Sequence, residues 1–140
     1  MRWIIALFLV LGLPAHASPC ERAFRAGMTA YQQADQRLRQ VEDTLYTGLG
    51  WATRARVLER LEARSALTSA CQEVGAQADS LRRAQSLAQN ADQSFRLATA
   101  VCMGVNRDRA QGNIDALTDL TRELRDQITY LTDLSTRCDE

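Results

Sequence analysis

The chain has almost none of the side chains that commonly carry out catalysis. Its single histidine is His16, and because it contains no lysine every basic side chain is an arginine. Histidine is the commonest general base and metal ligand, and lysine is the usual Schiff-base nucleophile. We therefore expect a protein that is not an enzyme, with no catalytic residue, no cofactor and no metal site.

Neither sign of charge is in excess. The 17 arginines are balanced by 17 acidic residues, which gives a formal net charge of +0 at pH 7. A nucleic-acid-binding domain is usually basic or carries a basic stripe along much of its length. The sequence therefore predicts no nucleic-acid partner.

Proline is also scarce, and its distribution indicates the fold class. The two prolines are Pro14 and Pro19, so nothing after Pro19 interrupts a helix in this way. Apolar residues beyond that point recur at intervals of three and four, which is typical of amphipathic helices. The sequence predicts an all-α fold in one domain over residues 18–140.

The first 17 residues resemble a secretion signal. Arg2 precedes an apolar run from Trp3 to Leu13, and the small-residue triplet 15–17 suits a signal peptidase. The run is too short for a membrane-spanning helix, which needs roughly 20 apolar residues. We expect residues 1–17 to be a cleavable signal peptide and the mature chain to be periplasmic or secreted. A lipid anchor on Cys20 is the alternative, and Pro19 directly before it argues against that.

Two architectures fit the helical pattern. A first helix is predicted from about Cys20 to Tyr46, a turn at 47–50, a break at 103–106 and a last helix that runs to the C-terminus. If Gly75 is a turn, the chain forms an up-down bundle of four helices. If it is not, the middle helix runs from about 52 to 103 and the molecule is an elongated three-helix coiled-coil hairpin.

Each predicted helix has an apolar seam. In the first helix the seam is Phe24, Met28, Tyr31, Leu38, Val41 and Leu45. In the middle it is Leu81, Ala84, Ala88, Ala91, Phe95, Ala98 and Cys102, and in the last it is Leu117, Leu120, Leu124, Leu131, Leu134 and Cys138. At the break between these two, Gly104 suits a left-handed position and Asn106 suits a helix N-cap.

The four cysteines, Cys20, Cys71, Cys102 and Cys138, are the disulfide candidates. An even count in an exported chain predicts two disulfides, which stabilise the fold, with three possible connectivities. A tight turn at 104–105 makes residues whose numbers add to 209 neighbours, and Cys71 with Cys138 satisfies this if the helix is straight. Cys102 is then isolated at the other end, whereas a break near Asn90 folds it back onto Cys71. The sequence leaves both open.

One surface pattern could receive an anionic partner. Arg56, Arg60 and Arg64 are four residues apart on one helical stripe, with Arg54 nearby and Trp51 at the start of the helix. Like charges at this spacing repel, so the stripe does not stabilise the helix. Lipid phosphates or an acidic protein could bind it, while a solvated face balanced by acidic neighbours is the plainer interpretation.

By elimination, the sequence favours a small exported helical protein that acts through protein–protein interaction, as an adaptor, chaperone-like factor or assembly component. An exposed apolar patch is expected in that case. One alternative is an inhibitor or immunity-type protein that blocks an enzyme with a protruding loop, for which 47–51 is the candidate. A binder of anionic envelope surfaces, with at most peripheral membrane contact, is another. A homodimer is possible in each case.

Overall fold

The computed structural model describes residues 17–44 and 67–136, with side chains from Gln72 onward in the second range. It contains three helices in these ranges: α1 (Pro19–Glu42), α2 (Leu67–Val101) and α3 (Gly104–Thr136). Neither described range contains a strand, which confirms the all-α prediction. The predicted signal peptide apart from Ala17, the turn at 47–50 and the arginine stripe lie outside the described residues.

Helix α2 runs without a break through Gly75 and Asn90, so neither position is a turn. The four-helix count is therefore not supported, and the described chain forms three helices. Val74 and Ala78 are buried on either side of Gly75, and this packing offsets the roughly 1 kcal/mol that a helical glycine costs. Asn90 is exposed and does not interrupt the helix. With 35 residues, α2 is about 52 Å long.

Helix α1 begins at a capping box that the sequence already contains as Ser-x-x-Glu. The Ser18 hydroxyl accepts a hydrogen bond from the Glu21 backbone N–H at 3.1 Å, and the Glu21 carboxylate accepts one from the Ser18 N–H at 3.2 Å. Pro19 occupies the first helical turn, where its missing N–H costs nothing. This cap fixes the start of α1 at Pro19, one residue before the predicted start. The predicted end at Tyr46 lies outside the described residues.

Helix α2 forms the centre of the bundle, because α1 and α3 both pack along it and touch each other at few places. The seven predicted seam residues of α2 are all buried. So are the five predicted seam leucines of α3. The buried side chains of α2 are mostly alanine and those of α3 mostly leucine, so large side chains face small ones and the helices can approach closely.

The packing of α1 on α2 depends on a glycine. Gly27 is buried beneath Phe95, and a Cβ at this position would lie 2.7 Å from the Cε1 atom of the ring. The Phe24 ring meets Phe95 edge to face with centroids 5.7 Å apart. Of the predicted α1 seam, Leu38 and Val41 are buried, whereas Phe24, Met28 and Tyr31 are half-buried and Leu45 lies outside the described residues. The other buried residues of α1 are small ones: Ala23, Gly27 and Ala34.

A short link joins α2 to α3. Only Cys102 and Met103 separate the two helices, and Gly104 has a positive φ of 56°, as predicted for a left-handed position. A residue with a Cβ would be strained there, so glycine permits the reversal. Asn106 is not an N-cap as expected, because α3 already starts at Gly104.

In the ranges 17–44 and 67–136, no helix is long and apolar enough to cross a membrane.

Candidate functional site

A disulfide joins the start of α1 to the end of α2. The Sγ atoms of Cys20 and Cys102 are 2.14 Å apart and the Cα atoms 4.8 Å apart. The sequence left two placements of Cys102 open, isolated from the other cysteines or folded back onto Cys71, and the bond to Cys20 shows that neither holds. Neighbours across α1 and α2 have numbers that add to about 122, as for Cys20 with Cys102 and Gly27 with Phe95.

The end of the bundle that carries this disulfide also exposes apolar side chains. We call the set Leu97, Val101, Met103 and Val105 the apolar tip. Their exposed fractions are 55, 40, 86 and 62%, and no other large apolar side chain within 17–44 and 72–136 is exposed. Concentrated at one end in this way, they form a surface that is available for contact.

Helix geometry explains why these side chains face outward. The buried seam of α2 passes through Ala98 and Cys102, so Leu97 and Val101, four residues apart, share a stripe beside it. Met103 stands in the two-residue link, and Val105 lies in the first turn of α3. The disulfide and the short link hold this segment in place on both sides. The segment that carries the apolar tip is therefore anchored at Cys102 and at Gly104.

Positive charge lies next to the apolar tip. Arg107 and Arg109 are exposed in the first turns of α3 and form no ion pair within the described ranges, although Asp108 stands between them. The N-terminus of α3 adds the positive end of its helix dipole. On α2, Arg96 is paired with Asp92, with 2.6 Å between Nε and Oδ2, and this hydrogen bond raises the pKa of Arg96.

Charges in the middle of the bundle are paired instead. Arg39 contacts Glu42 at 2.8 Å and Asp35 at 3.3 Å on its own helix, and Glu123 of α3 at 3.2 Å. The hydrogen bond with Glu42 is the main cause that raises the pKa of Arg39. The pKa of Glu42 is also raised, first by burial and then by the nearby Glu123, with Arg39 opposing both. This cluster ties α1 to α3 across the side of α2.

Clefts lie between the described helices. One cleft of about 520 Å³ lies between α2 and α3 and is lined mainly by polar and arginine side chains such as Gln89, Asp92 and Arg125. A second, of about 340 Å³, lies beside Cys20, Phe24 and Asn106. In the part of the chain that the structure describes, no three His, Cys, Asp or Glu residues are grouped so that they could hold a metal ion.

The predicted site residues are only partly described. Cys20 and Cys102 are bonded to each other, and Cys71 lies in α2. Cys138 lies outside the described residues, as does the proposed anionic-partner set: Trp51, Arg54, Arg56, Arg60 and Arg64. Sequence reasoning missed the apolar tip. Its signal was present, because residues 97–105 are almost all apolar although they include a turn, where polar residues are usual.

The chain matches no protein-family model, no curated protein and no solved structure.

Proposed function

We propose that this protein is a small exported adaptor or assembly component that binds another protein through the apolar tip. The observation that carries the proposal is the exposure of Leu97, Val101, Met103 and Val105 together at one end of the bundle. Methionine and other large apolar residues are the side chains that protein interfaces bury at their centre. The other large apolar side chains that the structure describes are buried or half-buried.

The rigidity of the tip supports binding with little loss of conformational freedom. Ordering a loop at an interface costs about 0.5–1.5 kcal/mol for each side chain immobilised, and a surface that is already fixed avoids part of this cost. Cys102 anchors the link to α1, and Gly104 closes the turn to α3. Arg107 and Arg109 beside the tip favour a partner whose binding pocket has acidic residues at its rim.

A periplasmic or secreted location is part of the proposal. The Cys20–Cys102 disulfide is of the kind that persists in oxidising compartments, and the first 17 residues have the pattern of a cleavable signal.

The proposal is tested with a photo-cross-linking residue placed at Met103 in the organism that makes the protein. Ala116, which is exposed on α3 away from the tip, is the matched control position. We expect one partner protein to be cross-linked from position 103, not from position 116, and to disappear when Val105→Asp is added. The same products from both positions, or a product that persists with Val105→Asp, would refute binding through the tip.

A stability measurement keeps this test interpretable. Val105 is 62% exposed, so we expect Val105→Asp to change the free energy of unfolding by no more than about 0.5 kcal/mol. A loss of cross-linking can then be assigned to the surface and not to unfolding.

The same tip supports a second candidate function, an inhibitor of an extracellular enzyme. This class needs a rigid protruding loop, and Met103, 86% exposed in a link held by a disulfide, meets that requirement. The two functions differ in what binding does to the partner. If the cross-linked partner is an enzyme whose activity falls with one equivalent of this protein and recovers with the Val105→Asp variant, the protein is an inhibitor.

Binding of anionic surfaces through the arginine stripe stays a prediction, because residues 51–64 lie outside the described residues. Salt-sensitive binding to vesicles that contain phosphatidylglycerol, lost when Arg56, Arg60 and Arg64 are replaced by glutamine, would support it.

A further inference from the structure

The buried positions of α2 and α3 form two matched seams. Those of α2 are Val74, Ala78, Leu81, Ala84, Ala88, Ala91, Phe95, Ala98 and, at its end, Cys102. Those of α3 are Ala110, Ile114, Leu117, Leu120, Leu124, Gln127, Leu131 and Leu134. Both sets advance in steps of three and four residues, as expected where helices pack along their length.

The register between these helices follows from the link and from the cleft between them. The chain reverses at Met103–Gly104, and the cleft brings Ala88 and Asp92 of α2 together with Leu117 and Thr121 of α3. For two residues that lie opposite each other on α2 and α3, the residue numbers therefore add to about 209. Counted in the same register, Val74 of α2 is matched with Leu134 of α3, and Ala78 with Leu131, at the far ends of the seams.

Continued by one step in the sequence, the spacing of each seam predicts a cysteine. Cys71 lies in α2 three residues before Val74, and Cys138 follows Leu134 by four residues in the sequence. The buried positions of α2 are spaced three and four residues apart, and a step of three before Val74 continues this pattern. A step of four after Leu134 continues the pattern of α3 in the same way. The numbers of the two cysteines add to 209, the same register that the cleft shows.

We infer that Cys71 and Cys138 form a second disulfide, which closes the open end of the α2–α3 hairpin. The unbroken course of α2 from Leu67 to Val101 is the observation that decides for this pair. A turn at Gly75 or Asn90 would have destroyed the register. Since Cys20 is already bonded to Cys102, the pairing also accounts for all four cysteines of the chain.

The bond forms by oxidation. The Cys71 and Cys138 thiols lose two protons and two electrons as one S–S bond forms. The electrons pass to the disulfide of an oxidised dithiol catalyst through a mixed disulfide, and that catalyst is reduced to two thiols. The two cross-links then hold opposite ends of α2, one to α1 and the other to α3. This inference does not depend on the proposed function.

Non-reducing peptide mapping of the exported full chain tests the inference directly. Because the chain has arginine and no lysine, trypsin cuts only after arginine and places each cysteine in a separate peptide. After alkylation of free thiols, we expect peptide 65–82 linked to 138–140, and the peptide that contains Cys20 linked to 97–107. Alkylated Cys71 and Cys138, or either one linked to a different cysteine, would overturn the inference.

Two variants separate a bond within one chain from a bond between chains. We expect Cys138→Ser to expose one reactive thiol, at Cys71, and to leave the Cys20–Cys102 peptide pair intact. The matched variant Cys20→Ser should expose a thiol at Cys102 and leave the 65–82 to 138–140 pair intact. A covalent dimer of the unaltered chain that becomes monomeric with Cys138→Ser would show that the bond joins two molecules, and the proposal would be wrong.

Discussion

The middle of the bundle and its disulfide end use the same kinds of residue in opposite ways. Leu124 in the middle is fully buried, whereas Leu97 near the end is 55% exposed. Arg39 in the middle contacts three carboxylates, whereas Arg107 and Arg109 at the end form no ion pair within the described ranges. In the middle, apolar side chains are buried and charged side chains are paired within the molecule, whereas at the end both kinds are exposed. The middle therefore maintains the fold, and the end is the surface through which we propose that the protein binds.

The sharpest test of this division replaces the two leucines. We expect Leu124→Ala to lower the free energy of unfolding by about 2–5 kcal/mol, because it leaves a cavity among buried side chains. Leu97→Ala should change it by no more than about 0.5 kcal/mol, since the side chain is largely exposed. Urea denaturation followed by circular dichroism measures both. Equal losses would show that the end of the bundle is also part of the structural core.

Two glycines test the close approach of α1 to α2. We expect Gly27→Ala to cost about 1–2 kcal/mol, because a contact of 2.7 Å with buried Phe95 outweighs the gain of about 1 kcal/mol in helix propensity. Gly112, which has nothing within 4 Å of a Cβ, is the control. Gly112→Ala should stabilise the protein by up to about 1 kcal/mol. If Gly27→Ala is also stabilising, α1 does not pack on Phe95 as described.

The smallest expected effect concerns the paired charges of the middle. The pKa of Glu42 is raised mainly by burial, so the folded chain holds this proton up to a higher pH than the unfolded chain. As the pH falls from neutral towards about 4.3, the usual glutamate value, Glu42 therefore contributes to an increase in the free energy of unfolding. We expect Glu42→Gln to remove this contribution. Urea midpoints of the variant and of the unaltered chain across that range measure it. An unchanged slope would count against the raised pKa.

The sequence predicted the interior of α2 and α3 well, because their seams repeat regularly over many turns. The seam from Leu81 to Cys102 is buried throughout, and the left-handed glycine at position 104 is confirmed. Signals of this kind are local. They depend on the spacing of side chains along one helix, and a single sequence displays that spacing directly.

The position of α1 on α2 could not be obtained in the same way. The Cys20–Cys102 bond and the Gly27–Phe95 contact set the register of α1 along α2, and the spacing of side chains within either helix does not specify it. This register is decided by which small residue fits beneath which ring, and that depends on two segments far apart in the chain. The apolar tip was missed although residues 97–105 are almost all apolar, because which of these side chains stay exposed depends on how the end is assembled.

The bond between Cys20 and Cys102 encloses a sequence separation of 82 residues, including the whole of 45–66. A protease that cuts the backbone once anywhere between α1 and α2 therefore does not release α1. The cleaved protein keeps its intact mass plus one water and separates into two fragments only after reduction. The chain can therefore be cut between these helices and still keep the start of α1 joined to the end of α2.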